Sequence, residues 1–374
     1  MTQMTRITTG ACGRIVVVFV LAASLWVAAA CAPPPAAAHL ERDNPIRPNA
    51  PPPYGMEEFF KDTPVQPVPA RARLGRWLFY DTRLSGDGTV SCASCHRPSH
   101  GFSEPTPTAT GVGGRRGTRK TPSLVNLAAR TVLPHLPDDT AHLFFWDGRA
   151  TGLEAQVLAP IANPEEMGLA HQAMAERLSG IAGYRSYFRD AFGSEAITPE
   201  RVASALADYV RTRMSGNAPY DQWAYGKDGG AMTAQQQRGS DIFFFSGNCA
   251  TCHAGFNFSD GAFHNLGVGW SEATQSFADE GRARVTGAPR DRGAFKTPGL
   301  REVSRRAPYM HDGSLATLRE VVEFYNRGGL KAPGRTPRLR PLNLSEAAID
   351  DLVAFLHALD GEGYQDQPPR YFPR

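Results

Sequence analysis

Apolar residues recur along this chain at helical spacing, in short runs separated by long stretches rich in glycine and proline. From Ser345, "SEAAIDDLVAFLHALDG" puts Ile349, Leu352, Val353, Leu356 and Leu359 on one face of a predicted helix that stops at Gly361. Pro199 to Met214 carries a similar stripe of Val202, Leu206 and Val210, with Thr198 as N-cap and Pro199 in the first turn. Thr233 and Gln236 form a capping-box pattern, predicting a helix that runs into "NCATCH" at 248–253. Near the start, Ile15 to Val27 is an apolar stretch behind Arg6 and Arg14 and ahead of small residues, the pattern of an export signal over 1–38. It is shorter than the about 20 residues a membrane span needs, so removal is expected rather than anchoring. "AAAHL" offers cleavage after Ala38; "VAAAC" is the rival, presenting Cys31 for lipidation, and membrane attachment is expected only in that case. Residues 39–67 read as a Pro-rich, extended lead-in.

The rest of the chain repeats itself. "LGRWLFYDTRLSGDGTVSCASCH" (74–96) is echoed by "RGSDIFFFSGNCATCH" (238–253), "KTPSL" (120–124) by "KTPGL" (296–300), and "WDGRATGLEAQV" (146–157) by "HDGSLATLREVV" (311–322). Matched blocks in the same order indicate duplication of one unit. The predicted division is 68–230 and 231–374, each unit with a helix before its cysteine motif and another closing the domain. The expected fold is therefore mainly α: two cytochrome c-like domains related by duplication, with long loops.

Composition changes this picture little. The 374 residues are 41% hydrophobic and 21% charged, and a net charge of +3 makes no electrostatic case for a nucleic-acid partner. Cysteine usage matters more. Of six cysteines, Cys12 and Cys31 fall in or at the signal, leaving Cys92, Cys95, Cys249 and Cys252. For an exported protein two disulfides are the default. Each pair, however, is a Cys-x-x-Cys followed at once by histidine, the attachment signature of c-type haem. Two thiols add across the vinyl groups of one porphyrin, and the adjacent imidazole of His96 or His253 binds its iron. A redox dithiol does not require the histidine, and one zinc site does not explain two of them. Two covalently bound haems are expected.

With those motifs in place, the chain resembles the bacterial di-haem cytochrome c peroxidases and their MauG-like relatives over roughly residues 68–360. The resemblance rests on "LGRWLFYDTRLS", both haem motifs, "FFWDGRATGLEAQVLAPIANPEEM" and "APYMHDGSLATLREVVEFYNRGG". It implies that the N-terminal haem reacts with hydrogen peroxide and that the C-terminal haem relays electrons. It makes His96 and His253 proximal ligands, sets Trp146 between the haems, and makes Gln156 and Glu166 the pair beside the peroxide site. Plainer readings are a packed Trp146, a solvated Gln156, and a Glu166 that satisfies a helix start, a role that suits Glu165 better.

Four departures refine the resemblance. Val112 stands where peroxidases that need reductive activation carry an iron-capping histidine, so an open first haem is expected; His100 is too near His96 to replace it. Tyr325 aligns with the methionine that ligates the second iron in peroxidases, and MauG-like proteins use tyrosine there. The alternatives are Met310 as ligand and Tyr325 as a packed aromatic. Lys120 replaces the asparagine of the family's inter-haem calcium site, and an ammonium offers a hard cation no oxygen, which speaks against calcium. Gly247 stands where MauG has a surface tryptophan. The implied partner is a small periplasmic redox protein or a protein substrate oxidised at tryptophan or tyrosine. A plain electron carrier is the remaining reading, against which Glu166 and Val112 argue.

Overall fold

Both repeated units fold around the same close helix crossing. The computed structural model describes residues 40–51, 53–54, 66–127 and 142–374; the signal segment and Cys31 lie outside the described residues. The helices are α1 (Pro69–Tyr80), α2 (Cys92–Cys95), α3 (Leu153–Ala162), α4 (His171–Ser179), α5 (Ala182–Phe192), α6 (Pro199–Arg211), α7 (Pro219–Ala224), α8 (Ala234–Asp241), α9 (Ala283–Thr286), α10 (Leu318–Asn326) and α11 (Glu346–His357). Among the described residues strand is confined to short antiparallel pairs: β1 (Leu143–Phe144) with β2 (Ala150–Thr151), β3 (Phe263–Asn265) with β6 (Ala294–Lys296), and β4 (Trp270–Ser271) with β5 (Ser276–Phe277). No described helix is long and apolar enough to cross a membrane.

The helix starts follow the sequence. Thr198 caps α6 by accepting from the Arg201 N–H, with Pro199 in the first turn. The Thr233–Gln236 capping box opens α8, and Ser345 caps α11 through the Ala348 N–H. Satisfying the free N–H groups of a first turn stabilises each helix by about 1 kcal/mol.

In the first unit α1 crosses α6 at Gly75, where a Cβ would stand 1.9 Å from the Ala205 carbonyl oxygen. In the second, α8 crosses α11 at Gly239, where a Cβ would stand 1.9 Å from the Asp351 oxygen. The duplication therefore conserves a packing device: a glycine lets two backbones touch. One turn later, Phe79 and Phe243 sit at equivalent buried positions. Two cores result. The first runs from Leu74 to Val210 and takes in Tyr364 from the C-terminal tail. The second runs from Tyr220 and Met232 to Leu359, with Tyr220, Phe243, Phe258 and Phe355 forming an aromatic cluster at its centre. Burying each such side chain stabilises by about 1.5–3 kcal/mol.

The repeated blocks explain how the units meet. The Lys120 N–H donates to the His311 oxygen at 2.7 Å, and the Lys296 N–H donates to the Trp146 oxygen at 2.8 Å. Each "KTP" lysine thus bonds the first residue of the other unit's "xDG" turn, a reciprocal exchange. Arg119 reinforces it, pairing with Asp147 and with Asp279, each at 2.6 Å.

Candidate functional site

Two cavities, each holding one cysteine–histidine motif, carry the candidate chemistry. At the first, Ser91 and Ser94 form a capping box that sets the single turn of α2, with His96 at its C-terminal end. At the second, Asn248 adopts a left-handed conformation (φ 54°) that opens the turn of Cys249–Thr251. Both motif histidines are then held alike. His96 Nδ1 lies 3.0 Å from the Phe102 carbonyl oxygen, and His253 Nδ1 lies 2.9 Å from that of Phe258. A carbonyl only accepts, so Nδ1 carries the proton and Nε2 keeps its lone pair. Burial lowers both imidazoles, which keeps them neutral. The carbonyls are presented at some cost: Phe102 and Phe258 both have positive φ, 54° and 51°, a conformation that costs a bulky residue about 1–2 kcal/mol. The same strain in both copies marks a shared functional constraint.

The first cavity, about 60 Å³, is lined by Cys92, Cys95, His96, Gln156 and Glu166, with Phe79, Leu206 and Val210 behind them. The second, about 300 Å³, brings together Cys249, Cys252, His253, Tyr325, Met310 and Trp146, with Phe243, Leu352 and Leu356 in the corresponding wall. The residues fit a macrocycle attached to the cysteines and ligated by Nε2. All four cysteines are free. Burial pushes the Cys92, Cys95 and Cys249 thiols up to about 12, which at the first motif is the opposite of what a reactive dithiol needs. At Cys252, against burial, His264 and Arg338 hold the thiol below its ordinary value. Among the described residues one cluster, Cys252, Asp260 and His264, has metal-ligand geometry, but its thiol belongs to the haem motif.

Around the first cavity, Glu166 accepts from Asn163 Nδ2 at 2.7 Å. Burial raises its carboxyl above the ordinary range, while Asn163 and Arg149 pull it back. The helix start expected at Glu165 or Glu166 is not formed: residues 164–167 make a turn after α3, in which Asn163 Oδ1 accepts the Glu165 N–H at 3.0 Å. Asn163 was missed in the sequence because an asparagine before proline reads as a turn residue; it is the residue that orients Glu166. Gln156 is 7% exposed, not solvated, because it faces inward from α3. Its Oε1 is buried without a partner, and the residue lines both cavities. Val112 is buried in the first core with its N–H on the Glu166 oxygen at 2.8 Å. Gly111 rather than Val112 lines the cavity, and a Cβ there would meet the Glu165 oxygen at 2.1 Å. His100 bonds Ser99 Oγ and lines neither cavity.

Trp146 sits in the turn joining β1 to β2. Its Nε1 donates to the Lys120 oxygen at 2.8 Å, and its own carbonyl is held by Lys296. Tyr325, on α10, is half-buried, with burial pushing its phenol well above the ordinary value. It packs edge-on against Phe324. His311 stacks on Phe295 at 3.5 Å between ring centres.

A helical fold with two such cysteine–histidine cavities defines the class as the di-haem cytochromes. The family model described as "Di-haem cytochrome c peroxidase" matches residues 69–229. The methylamine utilization protein MauG of Methylorubrum extorquens is 42% identical over 300 residues, 79% of each chain. The cytochrome c551 peroxidase of Nitrosomonas europaea is 34% identical over 317 residues, 83% of this chain and 86% of that one. Among solved structures, a MauG-like protein associated with microbial copper homeostasis superposes with a TM-score of 0.73 at 29% identity, over 88% of this chain and 98% of the other. The chain belongs to the di-haem cytochrome c peroxidase family, which includes MauG, and is a di-haem peroxidase by that membership.

Proposed function

We propose that this chain is an exported, periplasmic enzyme of MauG type. It reduces hydrogen peroxide at an open N-terminal haem and supplies electrons through Trp146 from the C-terminal haem. The haems are held by Cys92 and Cys95 and by Cys249 and Cys252, with His96, His253 and, at the second iron, Tyr325 as ligands. When bound, they supply the redox chemistry. The overall change consumes one peroxide, two protons and two electrons and yields two waters.

The observation that carries this reading is the first cavity, where a half-buried carboxyl and an orphaned amide oxygen share one small space with His96. A peroxide in that space meets Glu166, which takes the proton from one oxygen and returns it to the other, the general acid–base work of a carboxyl in a water-poor pocket. Gln156 Oε1 accepts the remaining O–H and turns the substrate toward Glu166. Asn163 keeps the carboxyl in place. Trp146 is held by hydrogen bonds at its ring and its carbonyl. Its indole therefore has a fixed position in the second cavity's wall.

Met310, which lines the same cavity as Tyr325, favours a second reading: an ordinary cytochrome c peroxidase with a thioether-ligated relay haem and a small redox-protein donor. Spectroscopy of the fully ferric protein, before and after one equivalent of peroxide, separates the two. One high-spin and one low-spin haem, with a near-infrared band after peroxide, is the MauG-type outcome. A resting enzyme that responds only after partial reduction is the ordinary peroxidase. Two low-spin haems inert to peroxide would overturn both readings.

A further inference from the structure

Where the two units meet, oxygen atoms converge in the manner of a hard-cation site. The carbonyl oxygens of Glu104 and Thr106 point at one spot. Beside them lies the Glu104 carboxylate, in a residue only 4% exposed, held by the hydroxyls of Thr121 and Thr106. The spot is filled from within the chain. Lys120 Nζ donates to the Glu104 carbonyl and, at 3.2 Å, to the Thr106 carbonyl. Lys120 is itself 4% exposed. Burial brings its ammonium down to about 8 against the pull of Glu104, which leaves it charged at neutral pH.

The same residue ties the units together through its backbone. Its N–H reaches the His311 carbonyl at 2.7 Å, and its carbonyl receives the Trp146 indole N–H at 2.8 Å. The surrounding segments are pressed close. A Cβ on Gly313 would stand 2.5 Å from Pro107 Cα, and one on Gly101 would stand 3.2 Å from Glu302 Cβ and Arg306 Cγ. The duplicated lysine is used differently: the Lys296 ammonium lies over the Phe263 ring at 5.1 Å.

We propose that the Lys120 ammonium is the resident cation of this junction, filling the oxygen nest as a fixed charge and holding Trp146 and the His311 turn in register without a divalent metal. Lys120 is a positioning residue: it acts through Trp146 and His311 and touches no substrate. The inference stands apart from the peroxidase reading, because it concerns cation uptake and stability.

Calcium chloride is titrated calorimetrically into the di-haem holoprotein, and thermal unfolding is followed in EDTA and in calcium. Wild type is expected to take up no calcium and to unfold at the same temperature in both. Lys120→Asn, which returns an oxygen donor to the nest, is expected to unfold about 5 °C lower in EDTA and to recover part of that loss with calcium. Lys120→Met is expected to lose as much and to ignore calcium. Recovery by calcium is a response that a merely packed lysine would not give. Stoichiometric calcium binding by wild type with a raised unfolding temperature would overturn the proposal. So would a Lys120→Met protein as stable as wild type in EDTA.

Discussion

Glu166 and Tyr325 make separable contributions at the scale of single residues. Burial raises the Glu166 carboxyl, so its proton is retained to a higher pH than on an ordinary glutamate. The ionised form is the one that can take a proton from peroxide. The rate of peroxide reaction is therefore expected to rise with pH through the weakly acid range in wild type. In Glu166→Gln it should fall by about 10²–10⁴ and lose that rise; a variant with wild-type rate and pH profile would remove Glu166 from the mechanism. Tyr325 is half-buried, with its phenol held neutral in the protein fabric, so an iron would have to draw off its proton to be ligated by it. Tyr325→Met is expected to change the spectrum of the second haem and raise its potential, as thioether ligation does. An unchanged spectrum and potential would return Tyr325 to the role of a packed aromatic beside Phe324. The family resemblance named these candidates. Asn163 escaped notice because its role is to receive another side chain, which no motif spacing announces.

At the scale of elements, the helix starts were legible in the sequence because caps are local chemistry: Thr198, Thr233 and Ser345 each satisfy an N–H three residues on, whereas α11 ends at His357, short of the expected Gly361. The crossings were not legible. Gly75 and Gly239 occupy helices where glycine costs stability, and only the neighbouring helix explains them. A methyl group at either site meets a backbone oxygen at 1.9 Å. Gly75→Ala and Gly239→Ala are each expected to destabilise by about 1–3 kcal/mol in denaturant unfolding. Gly229→Ala, which meets nothing within 4 Å, is expected to be neutral and serves as the control. Equal stability in all three would mean that the helices separate freely. The strained carbonyls of Phe102 and Phe258 were likewise invisible, since a phenylalanine gives no local sign of positive φ.

At the scale of the whole molecule the two units are joined by buried polar contacts, so their union is expected to depend on pH. Burial opposes ionisation of Asp279, yet Arg119 and the Gly281 N–H hold its carboxyl down to about 2. An unfolded aspartate titrates near about 3.9. A carboxyl depressed on folding contributes stability that is present above the unfolded value and lost as pH falls through the folded one. Arg119→Gln is therefore expected to lower the unfolding temperature at neutral pH. The gap from wild type should narrow as pH falls from about 4 toward about 2. A gap that stays constant over that range would assign the stabilisation to packing of the Arg119 side chain.

The sequence by itself determined the haem class of cofactor, the starts of three helices and the duplication. Attachment needs neighbours three and four residues apart, caps need neighbours three apart, and repeats declare themselves by alignment. Only the tertiary structure decided what the repeated blocks do. The "KTP" and "xDG" segments lie far apart along the chain, and their reciprocal hydrogen bonds exist only once the units meet. The same holds for Gln156, whose amide turns inward between two cavities, and for Lys120, whose ammonium finds its oxygen nest 14 and 16 residues back along the chain. Such contacts depend on where the backbone returns, and a short-range pattern carries no record of that.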